Sequence, residues 1–241
     1  MTTVKKALDR IARQCSIDAP TSWAGATRDE HIELRDDHLV ETIAEIRDRI
    51  DLPAPIGKQT TITGTGAESY SLPSNYVRLQ RDPLAVYETT TLRRGAIPVP
   101  SDGAWTHVNT SGSAGTNRYF KIEGYPGAYT IKFEIDLATG NSVTVSYISD
   151  VWVADSGGTE SADFDSDNDV LLLPRRVVEM GAVWRYRQRK GFDFAVQHGQ
   201  YEAFLSRLGT DSKPIRSINM APGTTETLPM RVPVPDYIPS A

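Results

Sequence analysis

Val4, Leu8, Ile11 and Cys15 recur at spacings of four, three and four residues, one stripe of an α-helix over residues 3–15. Thr2 or Thr3 is placed to cap its start, and Ile17-Asp-Ala-Pro20 ends it, because the residue before a proline avoids the α region. Residues 36–50 repeat the spacing with Leu39, Ile43, Ile46 and Ile50, and their opposite face is strongly charged. A start as early as Thr27 fits this second helix, since Thr27-x-x-Glu30 reads as a capping box. Asp51-Leu-Pro53-Ala-Pro55 stops it.

From about residue 58 to 153 the period changes from 3.6 to 2. Tyr129, Ile131, Phe133 and Ile135 alternate with Thr130, Lys132 and Glu134, and Val143, Val145 and Tyr147 alternate likewise. Both read as half-buried strands, joined by Asp136–Asn141 as a hairpin connection. Weaker strands are Thr60–Gly64, Glu68–Leu72, Leu84–Thr89 and Tyr119–Glu123. A short helix fits Ser101–Val108, and residues 109–117 read as a polar flexible loop.

Helices return after an acidic loop. Pro174 suits the first position of a helix over 174–190, with Val177, Met180, Gly181 and Trp184 on one face and Gly191 as its stop. Asp193 then caps a helix carrying Phe194, Tyr201, Leu205 and Leu208, which Gly209 is placed to end. Residues 211–241 hold six of the fifteen prolines and show no periodicity, so they read as an extended arm. The expected class is α+β: residues 1–57 and 174–210 form a discontinuous four-helix bundle, 58–153 an antiparallel β insertion and 154–173 the acidic loop.

Composition narrows the function. The chain has 241 residues and a net charge of −5, which speaks against a protein built to grip nucleic acid tightly. No apolar run approaches the ~18 residues that span a bilayer, and the N-terminus lacks the order of a signal peptide. One cysteine excludes an intramolecular disulfide framework, and an intracellular place of synthesis is expected. The mild net charge hides polarity. Residues 28–51 carry nine acids against four arginines, whereas residues 175–190 carry Arg175, Arg176, Arg185, Arg187, Arg189 and Lys190 against Glu179. These are solvated faces, complementary surfaces within one bundle or between neighbouring copies, or a basic helix for nucleic acid.

No catalytic, cofactor or metal site emerges. His31, His38, His107 and His198 are scattered and expected at the surface. Gly64-Thr-Gly66 is followed by another alternating run, where a phosphate loop needs a helix, so it reads as a hairpin turn. Asp163-Phe-Asp165-Ser-Asp167-Asn-Asp169 opens like a calcium loop, but Asn168 and Pro174 stand where the loop needs glycine and glutamate. Asp and Asn side chains capping turns explain it better. Cys15, on an apolar stripe, reads as a small core residue.

Three stretches carry a family resemblance: Leu39–Ile50; Leu72-Pro-Ser-Asn-Tyr-Val-Arg-Leu-Gln-Arg-Asp82-Pro-Leu; and Val143–Asp150 through the acidic loop to Leu173-Pro-Arg, the Trp184 helix and Tyr201-Glu-Ala-Phe-Leu205. In order and character, residues 1–210 resemble the head-to-tail adaptor (connector) proteins of tailed bacteriophages, including the tail tubular protein A type. The resemblance implies a structural virion protein at the head–tail junction, assembled in the host cytoplasm, without catalytic residues. It implies a ring, usually of twelve copies, on the portal protein, extending the DNA channel with transient non-specific DNA passage and docking a neck or tail protein. The C-terminal arm would reach the portal, with Ile215, Ile218, Met220 and Leu228 as its apolar anchors. Alternatives are another neck or tail-completion protein, or a carbohydrate- or receptor-binding module using Trp105, Trp152 and Tyr125 of the β segment.

Overall fold

A computed structural model describes residues 2–90, 93–111 and 118–211. The arm beyond Asp211, with Ile215, Ile218, Met220 and Leu228, lies outside them, as do residues 112–117 of the expected polar loop. Helix α1 (Val4–Gln14) begins at Thr3, whose Oγ1 accepts from the Lys6 amide, and buries Val4, Ala7, Leu8, Ile11 and Ala12. Helix α2 (Asp29–Ile32), a π-helical segment (Glu33–Leu39) and α3 (Val40–Arg49) follow one another without a break. This run starts with Arg28 at the N-cap and no side-chain cap bond, so the capping box expected at Thr27 is not formed. Asp29 and Glu30 in the first turn instead meet the positive end of the helix dipole.

Helix α4 (Asp102–Ser111) is longer than the short helix expected there, and Asn109–Ser111 of the expected loop belong to it. Helix α5 (Arg175–Arg189) has Pro174 as its N-cap, one position earlier than expected, and Gly191 at φ +74° just beyond its end. In α6 (Ala195–Asp211) the Asp193 carboxylate accepts from the Ala195 amide at 3.1 Å, and the helix runs through Gly209 instead of ending there. The principal helix contacts radiate from α5, which packs on α1, the π segment, α3 and α6. That hub arrangement does not define the closed four-helix bundle expected; the coarser class, α+β, is what the structure shows.

Eleven strands occur among the described residues, in three sheets. In the first, β8 (Ser142–Ser149) pairs over Ser142–Ile148 with β1 (Gly57–Thr63), and its other edge carries β3 (Tyr76–Leu79) and β4 (Val86–Glu88). The second has the order β2 (Ser69–Ser71), β7 (Thr130–Phe133), β6 (Tyr119–Glu123), β5 (Ile97–Pro98), with β5 and β6 parallel and the other pairs antiparallel. The third is small: β9 (Val153–Ala154) between β10 (Glu160–Ser161) and β11 (Val170–Leu171). Two expected hairpins are therefore absent. The 136–141 connection carries the chain from β7 in one sheet to β8 in another, and Gly64-Thr-Gly66 likewise crosses from β1 to β2. Alternation showed which face of each strand is apolar, but both sheets offer such faces to one shared core, so it could not choose a partner. That core holds Ile62, Val86, Val143 and Val145 from the first sheet and Phe120, Ile131 and Phe133 from the second.

A second core belongs to the helices and draws in Ile148, Trp152, Val153, Leu171 and Leu173. Strand β8 thus feeds both cores, Val143 and Val145 into one and Ile148 into the other. The N-terminus is tied down beside β11, the Val4 amide donating to Asp169 O at 2.8 Å and the Leu171 amide to Thr2 O at 3.0 Å. Cys15 packs half-buried against the helical core, where burial pushes its thiol up to about 12.

Candidate functional site

The two oppositely charged stretches face each other inside one chain, α5 running antiparallel to the π segment and α3. At one end Glu33 receives both Arg189 and Lys190 at 3.0 Å, and Arg189 also reaches Asp37 at 3.0 Å. Burial alone would raise the Glu33 carboxyl, but the Lys190 hydrogen bond and the Arg189 charge outweigh it and hold the carboxyl below the usual range. Further along, Arg185 is hydrogen-bonded to Glu45, donates to Thr42 Oγ1 at 2.9 Å and lies 3.7 Å from Glu41. Glu45 also accepts from Arg49 at 2.6 Å and from the Tyr201 hydroxyl at 3.0 Å. Arg49 then forks Glu202 of α6 at 2.6 and 2.7 Å. Gly181 makes this seam possible: a Cβ there would stand 2.3 Å from Thr42 Cγ2 and 2.9 Å from Tyr201 Cε2.

Of the six basic residues singled out from sequence, Arg185, Arg189 and Lys190 are thus engaged by acids of the same chain. Arg175 pairs with Glu179 on its own helix at 3.1 Å. Arg176, exposed, lies over the Phe204 ring at 5.5 Å, and half-buried Arg187 donates to Asp193 O at 3.4 Å. Among the described residues neither of these last two has a carboxylate within ion-pair distance, so they are the cations that α5 leaves for other contacts.

The segment around Leu72–Leu84 has a definite local role. Arg78 donates to Arg47 O at 2.7 and 2.9 Å, to Ile50 O at 2.8 Å and to Asp51 at 2.7 Å. Arg81 donates to Asp48 O and Arg49 O at 2.6 and 3.0 Å. Two arginines thereby satisfy the open carbonyls at the C-terminus of α3 and oppose its negative dipole end. Between the β sheets, buried Arg118 donates to Glu88 at 2.8 Å.

Other expectations need correction. His31 and His38 are buried, not superficial. His31 Nε2 lies 2.8 Å from Asp18 O and its ring meets fully buried Trp23 edge-on; His38 packs edge-on to Tyr186. Burial lowers the His38 pKa, with Glu33 opposing it. His31, Leu34, His38 and Thr42 are spaced three, four and four apart, a helical stripe that the flanking acids obscured. Trp152 is buried in the helical core with its indole N–H on Ala162 O, so it is no part of a recognition surface; Trp105 is half-buried and Tyr125 is 70% exposed. In the acidic loop, Asp167 accepts from the Trp23 and Ala24 amides at 2.9 and 3.1 Å and from Lys5 at 3.2 Å, while Asp169 accepts from the Asp165 and Ser166 amides. These carboxylates pin loops. No group of three or more His, Cys, Asp or Glu among the described residues is placed to hold a metal ion. No described helix is long and apolar enough to cross a membrane.

The body is mixed α+β, and its strongest charges are spent on holding its own helices together. The chain matches the SU10 adaptor protein family over residues 2–226 and belongs to that family: it is a phage adaptor-type structural protein. No curated protein matches it.

Proposed function

We propose that this protein is a head-to-tail adaptor at the head–tail junction of a tailed bacteriophage, of the tail tubular protein A type. Copies of it, twelve by resemblance, close into a ring on the portal protein. The ring extends the DNA channel and presents a docking surface to the next neck or tail protein. The family match across residues 2–226 is the observation that carries this reading. The seam supports it physically: the helical elements gathered about α5 act as one prefolded unit, so ring closure need not order them. Arg176 and Arg187 are the α5 cations left for a heterologous contact that closes, and net −5 suits a channel through which DNA slides without being gripped.

The arm over 211–241 reaches the portal in this reading, its prolines reducing the entropy lost on docking. The test is a chain truncated after Asp211, mixed with portal rings and sedimented. It should keep the circular dichroism spectrum of the full chain and fail to co-sediment; undiminished portal binding would remove the arm from the proposal. The reading contains no chemical step, so turnover of peptidoglycan by the purified protein would overturn it.

A further inference from the structure

An apolar groove of about 310 Å³ opens between the segment after α3 and the start of α5, lined by Leu52, Pro53, Ala54 and Ile56 on one side and Leu172, Leu173 and Pro174 on the other. Every lining side chain is aliphatic or proline, so the groove offers an occupant apolar contact and no charge. Its position in the fold says which segment can fill it. The groove begins three residues after Arg49 and ends next to Arg175. The second half of α6 runs beside both points: Glu202 is forked by Arg49, and the Phe204 ring lies under Arg176. Helix α6 therefore releases the chain at the end of the molecule where the groove opens.

We infer that residues 212–219 of the same chain dock in this groove, with Ile215 and Ile218 as the side chains that enter it. Three residues lie between Asp211 and Ile215, four Cα steps with a reach of up to ~14 Å when extended. Pro214 disfavours the α region at Lys213. In an extended, three-per-turn course, Ile215 and Ile218 fall on one side about 9 Å apart. The family match continues past α6 to residue 226, so both isoleucines lie within it and Leu228 does not. Docking at the base fixes where the arm leaves the subunit, and Met220 and Leu228 then project from a defined point. The inference concerns the free subunit and does not depend on the portal.

The test is amide hydrogen exchange on the full-length chain without portal, comparing the parent with the Ile215→Asp/Ile218→Asp double variant. A circular dichroism spectrum matching the parent's checks that the variant folds normally, and the β8 amides are the internal control. The Gly57 amide, bonded to Pro53 O, and the Leu172 amide, bonded to Trp152 O, report on the two walls. Loss of docking should speed their exchange about tenfold while β8 is unchanged. Equal rates in parent and variant would overturn the inference. So would protection that grows with protein concentration, which would give the groove to a second copy of the chain.

Discussion

Three side chains converge on Glu45, from Arg185 on α5, Arg49 on α3 and Tyr201 on α6, so one carboxylate ties three helices. Burial would raise this carboxyl, but the hydrogen bonds from Arg49 and Arg185 win and hold it below its ordinary range. Glu202, hydrogen-bonded by Arg49, is lowered too. A carboxyl depressed in the fold adds stability above its unfolded pKa and loses it as pH falls through the folded value. The thermal midpoint should therefore drop steeply as the pH falls below about 4.5, and Glu45→Gln should flatten that dependence while costing about 1–3 kcal/mol at pH 7. A Glu45→Gln curve parallel to the parent's would contradict this role. His38 makes a separate statement: buried beside Tyr186, with Glu33, Glu41 and Arg189 around it, it favours its neutral form. Its ring should titrate by NMR with a midpoint below 6.5, and the stability linked to it declines as pH falls below that value. A midpoint at or above 6.5 would show that Glu33 dominates burial.

At the scale of elements, the approach of α5 to α3 and α6 at Gly181 decides the packing of the hub. Helix propensity alone favours Gly181→Ala by up to ~1 kcal/mol. The new methyl would, however, press on Thr42 and Tyr201, both fully buried and unable to swing away. Overpacking of this kind costs about 1–3 kcal/mol, so the substitution should lower stability in chemical denaturation; a stabilised variant would show that the helices can part. Helix starts were legible because each carries its own stripe and its own start signal: α1, α5 and α6 begin within two residues of where spacing and caps put them, although the stop read at Gly209 is not used. The burial of His31 in α2 and His38 in the π segment was not, because both look like a solvated face until Trp23 and Tyr186 are seen to cover them. Strand pairing was illegible for another reason. The turn residues at 64–66 and 136–141 are those of hairpins, but the chain uses them to pass between sheets, a choice made by long-range packing of Val143, Ile131 and Phe133. Strand β3 went unread because the role of its Arg78 is to cap α3, which no local pattern announces.

For the whole molecule, the balances of −5 and +5 on the two helical stretches largely cancel within the subunit. That changes what charge reversal should do. Arg185→Glu would place like charges against Glu45 and should destabilise the monomer itself, lowering its thermal midpoint. Arg187→Glu should leave the monomer's midpoint within a degree or two and weaken association between copies, read as a shift from ring to monomer in analytical ultracentrifugation. Equal effects of the two on monomer stability would contradict this division of labour. The sequence already held the charge polarity; what it left open was whether the complementary faces meet within a copy or between copies, and the seam places three of the six cations within one. The adaptor reading itself is tested most directly by the mass of the particle formed when purified protein is mixed with portal rings, measured by native mass spectrometry. The account predicts one discrete species, the portal ring plus a single closed set of subunits, twelve by resemblance. Portal rings that keep their own mass, with this protein remaining monomeric beside them, would contradict it.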